Sequence, residues 1–315
     1  MKKVARATVV PVALALALTG CAAPGASTSA RTPVVAIATT TQLGSIVGDI
    51  TACAGAASDT IMAPGVDPHE FSLSSDQVAG LTRAKLVIAN GLGLEAGMQT
   101  ALNNIKADGV RVYEVAPDLD PKPFADHDDE ASEGEDHEHG AYDPHVFLDV
   151  ARMAKGAENI AAQLAQVTGD SKYTSCGATV ASELRKVDDQ VRQTLAVVPE
   201  GRRVLITDHD AFGYFAATYG FTVAGVAVPG GSTDAEASSA QLAKVAAVVK
   251  QSKVPAIFSN TAVNPAVVEA IAKESGADVK VVPLFVDSVG GPGSGAETYS
   301  TMMLSNASAI ANALK

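Results

Sequence analysis

The chain has no tryptophan, and only 4% of its 315 residues are aromatic. Aromatic side chains supply the flat surfaces on which ring-shaped ligands stack, so their scarcity argues against a carbohydrate receptor. Basic residues are also few, with 23 lysines and arginines against 35 aspartates and glutamates and a formal net charge of −12. Because nucleic acids are bound through clustered lysine and arginine, this balance argues against a nucleic-acid partner. A negative net charge is better suited to a cationic ligand.

Long apolar runs are lacking as well. Residues 1–20 begin with Lys2, Lys3 and Arg6 and continue into an apolar run that is too short to span a membrane comfortably. This layout is typical of a secretory signal peptide, and we expect an exported protein.

The apolar run ends in LTGC, which resembles the lipobox of bacterial lipoproteins. The resemblance implies cleavage before Cys21 and lipidation of that cysteine, and several acyl chains on one residue anchor a protein stably. The alternative is an ordinary signal peptide that happens to contain a cysteine. Residues 21–32 are typical of a flexible tether. We therefore expect the protein to be lipid-anchored to the outer face of the cell membrane.

Cysteine is rare too, at three residues. If Cys21 carries lipid, Cys53 and Cys176 remain, and an even pair in an exported protein suggests a disulfide. Two buried free thiols are the alternative. The pair lies too far apart in sequence for a Cys-x-x-Cys redox motif.

Strand-like apolar runs alternate with helical patterns along most of the chain, which predicts an α/β fold with parallel sheets. Ser74 and Gln77 predict a capping box at the start of one helix. The predicted strands are residues 34–39, 86–90, 111–115, 204–208, 222–228, 256–260 and 280–284, and the predicted helices include 42–51, 234–250, 265–275 and 296–314.

Two long amphipathic stretches, residues 149–166 and 177–198, follow one another without a strand between them. A helix of 22 residues is about 33 Å long, which exceeds a usual crossover within one sheet. We therefore predict two lobes, each a small parallel sheet flanked by helices, at residues 33–175 and 199–315. A long rigid linking helix at 176–198 would join them. The alternative is one large sheet with a surface helix.

Residues 125–140, ADHDDEASEGEDHEHG, contain eight carboxylates and three histidines but no large apolar residue. Such a segment cannot bury enough surface to fold alone, so we expect a mobile loop. The density of His127, His137 and His139 among carboxylates favours metal capture. A solvated acidic insertion without a role is the alternative.

The remaining three histidines follow predicted strands. His69 and His145 stand in a repeated Asp-Pro-His-x-Phe motif, and the Asp-Pro step favours a turn or an extended chain. His209 and Asp287 follow strands in the second half, where open α/β sheets place their ligands. Three imidazoles and one carboxylate suit a borderline ion such as zinc. Two unrelated turns that each hold a histidine are the alternative reading of the repeat.

From about residue 33 onward the chain resembles the zinc- and manganese-specific solute-binding proteins of ABC importers. The segments that carry this resemblance are PGVDPHEF, LVIANGLGLE, YDPHVFLD, TDHDAFGYFAATYG, SNTAVNPAVVEAIAKESGA and VDSVGGPGSGAETY. The resemblance implies two lobes with a metal ion at their interface, held by His69, His145, His209 and Asp287. It also implies delivery of the ion to an ABC transporter permease. We expect a monomer, with a metallochaperone as a further partner.

Zinc (Zn2+) is favoured over manganese (Mn2+) because manganese-type members tend to have Glu where this chain has His209, and manganese prefers oxygen ligands. The acidic histidine loop also resembles that of zinc-type members. Glu70 and Asp208 are accessory candidates, as an oxygen ligand or as partners of the ligands.

An exported zinc hydrolase is the main rival, with Asp208 or Glu70 as its general base. Catalytic zinc usually keeps an open position, whereas four protein ligands leave none, and the chain has no HExxH motif. We therefore expect no enzyme. An adhesin is a third class, but no surface patch or repeat in the sequence supports it.

Overall fold

The apolar runs of the first half form a parallel sheet in the computed structural model, which describes residues 34–124, 142–233 and 237–315. Its strands pair in the order β2-β1-β3-β4. They are β1 (Val34–Ala38), β2 (Ala57–Thr60), β3 (Val87–Ala89) and β4 (Val112–Glu114). The predicted signal peptide, the tether with Cys21, and the loop residues His127, His137 and His139 lie outside the described residues.

A second parallel sheet repeats this arrangement in the other half, in the order β6-β5-β7-β8. Its strands are β5 (Val204–His209), β6 (Thr222–Val228), β7 (Ala256–Asn260) and β8 (Lys280–Leu284). The predicted α/β fold with one small parallel sheet per lobe is therefore confirmed.

Nine helices flank the sheets in the described ranges. They are α1 (Thr41–Ala54), α2 (Ser75–Leu81), α3 (Gln99–Ala107), α4 (Val150–Thr168), α5 (Lys172–Leu195), α6 (Gly213–Tyr219), α7 (Ser239–Ser252), α8 (Ala266–Ser275) and α9 (Tyr299–Leu314). The predicted capping box begins α2, because the Ser74 hydroxyl accepts the Gln77 N–H while the Gln77 side chain accepts the Ser74 N–H. None of the helices in these ranges is long and apolar enough to cross a membrane.

The long helix α5 packs against α4 and α1 and also against α9, so it touches elements that precede and follow it. It begins before the predicted 176–198 helix and ends earlier. Cys176 on α5 is joined by a disulfide to Cys53 on α1, which ties the helix to the first lobe.

The largest apolar core is continuous across the lobes. It includes Leu43 on α1, Leu184 on α5, Phe258 on β7 and Tyr299 on α9, all buried. Smaller cores lie within each lobe. Protein interiors pack densely. This shared core therefore holds the two sheets together, and it sets where the carboxyl ends of their strands lie.

Candidate metal site

The four predicted ligands come together although they reach the site from different elements. His209 is the last residue of β5, and Asp287 follows β8 closely. His69 lies in the long connection from β2 to α2. His145 stands well past β4, directly before a short 3-10 turn at Val146–Leu148. The prediction that all four sit at corresponding strand ends thus describes the second half better than the first.

The ligand atoms of these residues all lie within 4.8 Å of one another. The Nε2 atoms of His69 and His145 are 3.4 Å apart. Asp287 Oδ1 lies 3.9 Å from His69 Nε2 and 3.7 Å from His145 Nε2, and Asp287 Oδ2 lies 3.3 Å from His209 Nε2. Four ligand atoms at about 2.1 Å from a tetrahedral ion are about 3.4 Å apart. The separations between Asp287 and the histidines are close to that value, and no separation in the cluster exceeds 4.8 Å, so one metal ion could be held by all four residues after small shifts.

The cluster is buried, and two of its atoms lack ordinary partners. All four side chains are at most 4% exposed. Across the described ranges, His209 Nε2 and Asp287 Oδ1 are the buried side-chain atoms with no hydrogen-bond partner. Burying an unpartnered polar atom is costly. A cation at the centre of the cluster would satisfy both atoms.

Two aspartates orient the imidazoles. Asp143 Oδ1 accepts the main-chain N–H and the ring Nδ1–H of His145, and Asp208 Oδ1 accepts the same two groups of His209. A proton held on Nδ1 leaves Nε2 free to bind a metal ion. Asp208 was an accessory candidate from the sequence, whereas Asp143 was missed even though it belongs to the repeated motif.

The repeated Asp-Pro-His motif forms the same turn twice. Asp67 Oδ1 accepts the main-chain N–H of His69 at 2.9 Å, as Asp143 does for His145. This Asx turn is a local structure that Asp favours. The second oxygen of Asp67 accepts the Thr233 hydroxyl at 2.5 Å. The repeat therefore fixes the backbone on which each histidine stands.

Asp143 is closely packed from the other lobe. Gly213, the first residue of α6, has no side chain, and a Cβ atom there would lie 2.8 Å from Asp143 Oδ2. The Tyr214 hydroxyl donates to the Asp143 carbonyl at 3.0 Å. Small size at Gly213 thus permits the close approach that places His145.

Charges in the cluster balance one another. Burial lowers the pKa of His209, but the carboxylates of Asp287 and Asp208 outweigh that effect and raise it well above its usual value. Burial raises the pKa of Asp287, but the three imidazoles, His209 foremost, bring it below its usual range. The site therefore favours an anionic carboxylate facing a positive charge, and a metal ion can supply that charge.

Glu70 does not join the cluster. Its side chain is exposed and lines a cleft of about 550 Å³, together with Asp67, Asp208, His209, Thr233 and Asn264. The cleft lies between residues of the two lobes and reaches His209. It borders the buried cluster at that residue.

A family model described as zinc-uptake complex component A, periplasmic, matches residues 36–313. The manganese-binding lipoprotein MntA of Halalkalibacterium halodurans is 31% identical over 319 residues, which cover 100% of this chain and 99% of the relative. The zinc-binding protein TroA of Treponema pallidum is 33% identical over 260 residues, with 81% and 80% covered.

The fold agrees with a solved structure. The periplasmic zinc-binding protein TroA from Treponema pallidum superposes with a TM-score of 0.76 at 31% identity, covering 90% of this chain and 99% of that one. The family match spans most of the sequence and both lobes. The chain therefore belongs to the zinc-uptake complex component A family of metal-binding substrate-binding proteins.

Proposed function

We propose that the protein is an extracytoplasmic receptor that binds Zn2+ with high affinity and delivers it to an ABC-type importer. The observation that carries this proposal is the buried cluster of His69, His145, His209 and Asp287, whose atoms are spaced as four ligands of one ion. Zinc accepts three imidazoles and one carboxylate readily in tetrahedral geometry.

Manganese is the competing cargo, because relatives named as manganese-binding and as zinc-binding are both similar to this chain. The ligand set favours zinc. Manganese prefers several oxygen ligands, whereas three of the four donors here are nitrogen atoms.

Transport rather than hydrolysis fits the arrangement of donors. A catalytic zinc ion keeps a position open for water, and four protein ligands fill a tetrahedral shell. Asp208 is hydrogen-bonded to His209, and Glu70 lies outside the cluster of donors.

The receptor acts outside the cell membrane, anchored through Cys21. Relatives named as lipoproteins support this location. With zinc bound, residues of both lobes are held together around the ion, and the joined lobes present one surface to the permease. A metallochaperone is a further donor of the ion, and the receptor works as a monomer.

Zinc-dependent thermal stabilisation tests the proposal. A ligand that binds only the folded chain raises the free energy of unfolding by RT ln(1 + [L]/Kd), or about 4 kcal/mol at a free concentration of 1,000 Kd. We expect the unfolding midpoint to rise clearly when zinc is added to metal-free protein. An unchanged midpoint at saturating zinc would contradict binding between the lobes.

A further inference from the structure

Asn260, the last residue of β7, contacts the only carboxylate among the proposed ligands. Its Nδ2 donates to Asp287 Oδ2 at 2.6 Å, and its Oδ1 accepts the main-chain N–H of Ala262 at 3.0 Å. The second contact fixes the orientation of the amide, since a flipped side chain would set Oδ1 against a carboxylate and Nδ2 against an N–H. Asn260 and Asp287 are each 1% exposed.

This hydrogen bond makes the two oxygens of Asp287 unequal. Oδ2 lies 3.3 Å from His209 Nε2 and accepts the Asn260 amide. Oδ1 has no hydrogen-bond partner and lies 3.7 Å from His145 Nε2 and 3.9 Å from His69 Nε2. A metal ion at the centre of the cluster would therefore meet one carboxylate oxygen without a hydrogen bond, Oδ1, and one that already accepts an amide, Oδ2. Binding through both oxygens would require Oδ2 to share its lone pairs between the ion and the Asn260 amide, whose hydrogen bond also holds the carboxylate in its present orientation.

The main chain of Asn260 reaches a second ligand. Its N–H donates to Asp208 Oδ2, and the other oxygen of Asp208 accepts the ring Nδ1–H of His209. Asn260 thus helps to position both proposed ligands of the second lobe. It contacts Asp287 directly and His209 through Asp208.

We propose that Asn260 is a positioning residue that restricts Asp287 to one metal-binding oxygen and thereby selects four-coordinate zinc over manganese. The inference rests on the proposed function and explains its selectivity. Zinc is satisfied by four ligands. Manganese belongs with ions that prefer octahedral oxygen-rich shells, so it gains most from a carboxylate that binds through two oxygens.

Two variants remove the amide donor in different ways. Asn260→Ser keeps a short oxygen acceptor for the turn at Ala262 but cannot reach Asp287. Asn260→Asp keeps the shape and the acceptor while replacing the donor by oxygen. Asn312→Ser is the control, because Asn312 is an exposed residue of α9 whose Oδ1 accepts the Lys315 Nζ–H instead.

The measurements are the zinc and manganese dissociation constants, by competition with a chelator, and the visible spectrum of the cobalt(II)-loaded protein. Cobalt(II) absorbs strongly when four-coordinate and weakly when five- or six-coordinate. We expect intense absorption in the parent and the control. Both Asn260 variants should show weaker bands and a preference for zinc over manganese that is about 10-fold lower or more, as expected for loss of a ligand's hydrogen-bond partner.

Equal losses of affinity for both metals with an unchanged cobalt(II) spectrum would overturn the inference, since they would show a purely structural role. Weak absorption in the parent would overturn it as well, while leaving zinc binding intact. A parent protein that binds neither zinc nor manganese would overturn the proposed function itself.

Discussion

Asp143 and His145 are joined twice by one carboxylate oxygen, which accepts the histidine main-chain N–H at 2.9 Å and its ring Nδ1–H at 2.8 Å. The turn and the ring orientation therefore depend on the same atom. Such partners of metal-binding histidines set the tautomer and the basicity of the ring.

Replacing Asp143 should therefore weaken zinc binding without removing a ligand. We expect Asp143→Ala to raise the zinc Kd by about 10- to 100-fold, and Asp143→Asn, which keeps an acceptor but loses the charge, to have a smaller effect. Competition titration measures both. Asp170→Ala is the control. Asp170 Oδ1 accepts the Lys172 N–H in the same kind of turn, but that turn is exposed. Equal effects at both positions would contradict the role of Asp143.

Removal of a proposed ligand should have a larger effect. His145→Ala and His209→Ala should each weaken zinc binding by orders of magnitude, since three remaining donors leave the ion incompletely held. Circular dichroism of the metal-free variants checks that the fold survives. Zinc affinity equal to that of the parent in both variants would show that the four-residue site is wrong.

Much of the fold and part of the site can be predicted from the sequence. Apolar runs predicted seven of the eight strands in the described ranges, and the two Asp-Pro-His motifs predicted fixed turns. β2 was missed because Ala57–Thr60 is a largely polar edge strand without an apolar run.

The role of Asn260 was not predictable in the same way. Its amide meets Asp287 only because β7 and β8 pair in register, Asn260 beside Leu284. The sequence shows a polar residue at the end of a strand but not which carboxylate it contacts. The role of Asp143 could have been predicted from the sequence, because an aspartate stands two residues before each histidine of the repeat.

The disulfide should stabilise the fold and leave zinc binding nearly unchanged. Cys53 and Cys176 are 123 residues apart, and closing such a long loop contributes about 4–5 kcal/mol in the chain-entropy model. We expect the double variant Cys53→Ser/Cys176→Ser to unfold at lower urea concentration with a similar zinc Kd. Equal urea midpoints for the variant and the oxidised parent would refute a stabilising role.

Lys122 and Asp143, which flank the acidic histidine segment in the sequence, lie next to each other. Asp143 N–H donates to the Lys122 carbonyl at 2.8 Å, and the Tyr214 hydroxyl contacts both residues. The segment that contains His127, His137 and His139 therefore leaves and rejoins the described chain two residues or more before His145, and we predict that it captures ions for the deeper site. This kinetic role is a prediction from the sequence.

Deleting residues 126–139 should slow zinc loading, lower the stoichiometry under excess zinc, and leave the tight equilibrium affinity nearly unchanged. Stopped-flow loading from free zinc and from a zinc-loaded donor protein measures the rates. Loading as fast as the parent from both sources would reduce the segment to a solvated insertion. Loss of the tight site would mean that the segment supplies a ligand.

Selection of zinc by the buried cluster of His69, His145, His209 and Asp287 can be measured on the purified protein. Elemental analysis of the purified protein, followed by competitive titration with zinc and manganese, tests it most directly. We expect one tightly bound zinc ion per chain, which excess manganese displaces poorly. Protein that retains manganese in preference to zinc, or that binds neither ion stoichiometrically, would contradict it.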